Sequence, residues 1–202
     1  MKLGFSKILI VVIVAGLLIV GAGIGYWMGR DTGKQQPAES QKINQGSQAD
    51  VPFVGDDFTV VPPTGWIRTQ IPSTLVSYQN FSEVQPKGSA AEKINFKSYT
   101  AISFDNTNNK TLGEITEIVK RQLESVAPTI SFSSIVDGTI GSQPAKLIEA
   151  DLLMQDINFK VVMAIAMKGD KYFTISSNTT AEKWPEYKDI FYNMLNSFKF
   201  KY

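Results

Sequence analysis

Phe159-Lys-Val-Val-Met-Ala-Ile-Ala-Met167 is apolar at both parities of an extended chain. Phe159, Val161, Met163, Ile165 and Met167 form one row, and Val162, Ala164 and Ala166 form the other. A strand with apolar side chains on both sides belongs in the middle of a sheet that is covered on two faces. Downstream, Lys168-Gly169-Asp170-Lys171 turns the chain into a second strand at Tyr172 to Ser177, which predicts a hairpin. Upstream, Ala145 to Met154 alternates, with Ile148, Ala150, Leu152 and Met154 opposite Leu147, Glu149, Asp151 and Leu153. Ile135-Val-Asp-Gly138 and Ile140-Gly-Ser-Gln-Pro144 read as two turns in quick succession. Strands that follow one another without helical crossovers predict an antiparallel sheet and argue against a doubly wound parallel one.

Two helices flank this run. Thr111-Leu-Gly-Glu114 is a capping box, and Leu112, Ile115, Ile118, Val119, Leu123 and Val126 recur at helical spacing until Pro128. The second starts after Thr180, with Pro185 in or near its first turn and Trp184, Tyr187, Phe191, Met194, Leu195 and Phe198 on one stripe. Ahead of both, Phe58 to Val61 and Leu75 to Phe81 read as short strands, separated by the turn Pro62-Pro-Thr-Gly-Trp66. Ile94 to Phe104 reads as a longer alternating strand, with Ile94, Phe96, Ile102 and Phe104 on one face. The polar loop Asp105 to Asn109 follows it. The whole is an α+β pattern, an antiparallel sheet covered by helices on two faces.

Composition removes several chemistries. The chain has no cysteine and no histidine, which excludes thiolate and histidine-based nucleophilic catalysis and the usual zinc ligand sets. It carries 20 Lys and Arg against 19 Asp and Glu. Five of the basic and three of the acidic residues precede Pro52, so the folded part is nearly neutral and no nucleic-acid partner is expected.

The first fifty residues read differently. Ile8 to Met28 is uncharged and long enough, at about 1.5 Å per residue, to cross a ~30 Å bilayer core, so a transmembrane anchor is expected there. The apolar run continues past the small residues Gly21-Ala-Gly23 to Tyr26 and Trp27, which argues for an uncleaved signal-anchor over a cleaved signal peptide. The short tail 1–7 and the long segment that follows predict an extracytoplasmic domain. Residues 29–51 are rich in Gln, Ser, Gly and Lys and read as a flexible linker with a reach of roughly 25 Å. The folded domain is expected at 52–202.

Phe58-Thr-Val-Val-Pro-Pro-Thr-Gly-Trp66 resembles the opening of PsbP/Mog1-like domains. So do the Asp137-Gly138…Gly141-Ser-Gln-Pro-Ala145 turns and the closing helix with Trp184, Tyr187, Ser197 and Phe198. The resemblance covers about 53–202. It implies an α/β/α sandwich around an antiparallel sheet and little chemistry; no cofactor is expected. Members include an extrinsic photosystem II subunit, a Ran-binding nuclear transport factor and bacterial envelope proteins. The photosystem subunit acts in metal retention partly through histidines, which this chain lacks, and the envelope members match the layout best.

Individual residues give few sharper leads. Glu149 and Asp151 sit two apart on one strand face, the spacing at which one carboxylate raises the pKa of the other. Trp66 and Trp184, with Tyr172 and Tyr187, are core aromatics or the lining of a binding groove. Asp105 to Asn109 fails as an EF-hand loop, because Lys110 and Thr116 stand where Gly and Glu are required. The expected function is a membrane-tethered, non-catalytic binding or assembly domain of the cell envelope with a protein partner. A small-ligand or lipid-binding module and a carboxylate-dependent hydrolase are the alternatives.

Overall fold

In the computed structural model, residues 51–202 are described. The expected anchor and nearly all of the linker lie outside them. Among the described residues no helix is long and apolar enough to cross a membrane.

The elements in chain order are β1 (Phe53–Val54), β2 (Phe58–Val60), β3 (Ile67–Thr69), β4 (Val76–Gln79), α1 (Ala90–Lys93), β5 (Tyr99–Asn106) and α2 (Leu112–Val126). They continue with β6 (Ser131–Ile140), β7 (Gln143–Met154), β8 (Ile157–Lys168), β9 (Lys171–Thr180), α3 (Trp184–Ser197) and β10 (Lys199–Phe200). Seven strands make one antiparallel sheet in the order β3-β4-β5-β9-β8-β7-β6. A small antiparallel sheet, β1-β2-β10, packs beside it.

β8 is the two-sided strand that its residues predict. Met163 and Ile165 pack against Ile115, Val119 and Leu123 of α2. Val162, Ala164 and Ala166 pack against Tyr187, Phe191, Met194 and Leu195 of α3. The alternating parities therefore place α2 and α3 on opposite faces, the α+β arrangement expected. Two-residue turns join the long strands. Gly141 and Ser142 both take positive φ (54° and 66°), as do Gln155 and Asp156 (51° and 60°), which matches the twist of tight hairpins. The capping box of α2 forms as predicted: Thr111 caps the Glu114 N–H, and the Glu114 carboxylate accepts from the Thr111 N–H at 2.8 Å.

Two expectations are corrected. The strand predicted over Ile94 to Phe104 begins only at Tyr99, behind the short helix α1. Asn95 takes a positive φ of 50° and breaks the run, so Ile94 and Phe96 pack with Phe159 on the α2 side while Ile102 packs on the α3 side. The turn predicted at Asp137-Gly138 is the interior of β6. Asp137 pairs there with Lys146 across the ladder at 2.7 Å. A Cβ on Gly138 would lie 2.8 Å from Leu147 Cδ1, so the glycine makes room for a side chain rather than a turn.

Candidate functional site

The face of the sheet under α3 holds Glu149 and Asp151, and the aromatic cluster packed on it includes Trp66, Trp184 and Tyr187. Glu149 and Asp151 project from β7 on this face, opposite Val162 and Lys160 of β8. Each is engaged by a different neighbour. The Tyr192 hydroxyl, from α3, donates to Glu149 Oε1. Lys160 pairs with Asp151. Burial, and then the hydrogen bond and charge of Glu149, push the Tyr192 phenol up to about 12, so it stays a donor at neutral pH. Each acid thus has its own partner, a phenol for Glu149 and an ammonium for Asp151.

The two tryptophans divide. Trp66 is 2% exposed and meets Tyr187 and Phe191 edge-on, with ring centroids 5.9 and 6.1 Å apart. It is a core residue. Trp184 is only half-buried on the first turn of α3, 6.3 Å from Phe191, with the Lys188 ammonium 5.7 Å above its ring. Phe191 therefore joins both indoles from below. Tyr172 is buried on the other face, against α2. No aromatic-lined groove joins the four.

A buried polar network beside the same helix carries no sequence motif. Glu83, in the β4–β5 connection, is 4% exposed, and its carboxylate accepts from both the N–H and the hydroxyl of Ser98. Ser98 Oγ also lies 2.7 Å from Thr179 Oγ1 of β9. Ser177 donates to Thr100 Oγ1 at 2.9 Å, and Asn80 donates to the Tyr187 hydroxyl at 2.8 Å. Burial first, and then the Glu83 charge, hold the Tyr187 phenol well above its ordinary range. Among the described residues no lysine or arginine lies within ion-pair distance of the Glu83 carboxylate. Lys97 donates instead to the Glu83 backbone carbonyl. Polar partners satisfy the acid, and its role is to hold the connection down.

Ligation chemistry is sparse. Among the described residues no group of three or more acids could hold a metal ion. Asp105 Oδ1 accepts from the Asn106 N–H at 2.7 Å, and the segment turns through Asn108 and Asn109, both at positive φ, into the Thr111 cap. At this end of the sheet Lys171 pairs with Asp57 at 2.8 Å and lies 5.1 Å over the Phe104 ring. The Lys171 hydrogen bond holds Asp57 below the usual carboxylate range.

The comparisons with known proteins agree with this architecture. The cyanobacterial PsbP (CyanoP) of Synechocystis sp. PCC 6803 superposes with a TM-score of 0.58 at 15% identity, covering 77% of this chain and 95% of its own. LpqN of Mycobacterium tuberculosis, described as involved in cell envelope biogenesis, gives 0.57 at 10% identity over 75% of this chain and 90% of its own. A Mog1 variant gives 0.50 at 14% identity over 77% and 95%. At such identities the likeness is one of fold. Among curated proteins none matches this sequence. The PsbP family model, however, matches residues 52–200, the folded part almost end to end, and the chain belongs to the PsbP family.

Proposed function

We propose that this chain is a membrane-tethered, extracytoplasmic binding or assembly domain that performs no catalysis of its own. Membership of the PsbP family supports a domain of the binding or assembly type. The single observation that carries the non-catalytic reading is the fate of Glu149 and Asp151. The two acids best spaced for joint acid–base work are engaged one by Tyr192 and the other by Lys160. The tether rests on the sequence of residues 8–28, and the fold likeness to LpqN, an envelope protein by its description, is in keeping with that setting.

Two measurements test the reading. An alkaline phosphatase fused after Tyr202 and expressed in a bacterial host is expected to be active, and an inactive fusion places the domain in the cytoplasm. A photo-crosslinking amino acid introduced in turn at Trp184, Val136 and Glu182 in the native membrane is expected to capture one discrete protein from one of these positions. Capture of nothing from any of them removes the protein-binding reading.

A further inference from the structure

The connection from β4 to β5 inverts the usual sorting of polarity. Glu83 and Gln85 point inward and are 4% and 6% exposed, whereas Phe81 and Val84 point outward at 49% and 77%. Apolar side chains on a surface are common singly, but a buried acid beside two presented apolar groups is not. Nor is the loop free to exchange them. The Ser98 N–H and hydroxyl hold the Glu83 carboxylate, Gln85 Nε2 donates to the Phe96 carbonyl at 3.3 Å, and the Glu83 N–H donates to the Asn80 carbonyl at 3.2 Å. The hydrogen bonds that bury the polar side chains fix the outward set of Phe81 and Val84.

The charges around these two side chains narrow the partner. Lys87 and Lys93 are exposed on the same connection. The exposed acid Glu92 is turned back onto the Gly88 N–H, which it accepts at 2.5 Å. The connection therefore carries two presented apolar groups and two exposed lysines, with Glu92 its one exposed acid. A bilayer with anionic lipid meets both needs at once, acyl chains for Phe81 and Val84 and headgroup phosphates for the lysines.

We infer that the Phe81–Val84 tip is a second membrane contact, docking the domain onto an anionic bilayer surface. The inference rests on the tether of the proposed function, because a contact this small needs the high local concentration that a short linker supplies. The 23 residues of the linker extend at most roughly 80 Å and sample roughly 25 Å. The tip stands where β5 begins, and β5 is eight residues long, about 27 Å. The linker is therefore long enough to let this end reach the bilayer.

The absence of cysteine gives a direct test, since an introduced one is the only thiol to label. The full chain is prepared as Val84→Cys, with Val136→Cys on β6 as the control, each carrying a polarity-sensitive dye. Both are reconstituted into vesicles of phosphatidylcholine, with or without phosphatidylglycerol. The chain is expected to float with both vesicle types. In anionic vesicles the Val84→Cys dye is expected to shift to the blue and be quenched by brominated acyl chains, and the Val136→Cys dye is not. Adding Lys87→Glu and Lys93→Glu should abolish the shift. A chain that floats while its Val84→Cys dye stays in water overturns the docking and leaves the tether intact. A dye shielded in native membranes but never in pure lipid vesicles points to a protein at the tip and also overturns it. A chain that does not float overturns the tether, and the docking with it.

Discussion

Tyr192 and Glu149 form a bond whose worth depends on pH in a definite direction. The phenol is raised to about 12 in the folded protein, against about 10 in an unfolded chain. Stability from this bond is full below the unfolded value and is lost as pH rises through the folded one. Tyr192→Phe is expected to lower stability by about 1 kcal/mol in urea titrations at pH 8. The gap to the unmodified protein should narrow between pH 10 and 12, and a gap that stays constant across that range removes the assignment. Glu83→Ala is the more severe change. It leaves the buried Ser98 N–H without its acceptor, at a cost of about 1–3 kcal/mol, and Glu83→Gln, which keeps a carbonyl oxygen, should recover part of it. Glu149 and Asp151 are legible in the sequence because alternation reveals the face of a strand. Their partners are not, since Tyr192 lies 43 positions from Glu149 and Lys160 meets Asp151 only through the register of the hairpin. Glu83 was silent for a related reason: nothing in Asn80-Phe-Ser-Glu-Val-Gln85 says which parity turns inward.

At the scale of single elements, the segments that spoke plainly were those whose signals are local. The capping box of α2 is written within four residues, and Thr111→Ala is expected to cost about 1 kcal/mol of stability. β8 declared itself because the nine consecutive residues Phe159 to Met167 carry its pattern. The four-residue helix α1 has no room for a helical period, and the alternation of Ile94 and Phe96 imitated a strand. Asp137-Gly138 imitated a turn because the residues that require them, Lys146 and Leu147, stand on the neighbouring strand. The real turn at Gly141 offers the sharper experiment. Its φ is +54°, and a Cβ there would lie 2.9 Å from the Phe200 backbone nitrogen. Gly141→Ala should therefore strain the hairpin and push β10 away together, lowering stability by about 1–3 kcal/mol in thermal or urea melts. A neutral outcome means that β10 does not sit against this turn.

Within the seven-stranded sheet, hydrogen-bonded neighbours are neighbours in sequence at every pair but one. β9 lies between β5 and β8, so β5 must wait for a strand some seventy residues further on. The small sheet adds a second closure, since β2 is paired on one side by β1 and on the other by β10. Phe200 of β10 packs against Phe173 and Phe198, with centroids 5.2 and 4.9 Å away. Phe200→Ala is expected to cost about 3 kcal/mol, and hydrogen exchange in β2 should quicken along with that in β10. If β2 remains protected, the two ends of the domain are not coupled.

That clasp has a mechanical meaning. If the chain is tethered as proposed, a tension on its N-terminal side reaches the domain at β1, which is joined to β2 over only two residue pairs. β2 in turn is held by β10, whose following residue Lys201 donates its N–H to the Asp57 carbonyl at 2.9 Å. The load would therefore enter through a short shackle closed by β10, and pass to the seven-stranded sheet through the Lys171–Asp57 pair and the packing of Phe200 on Phe173.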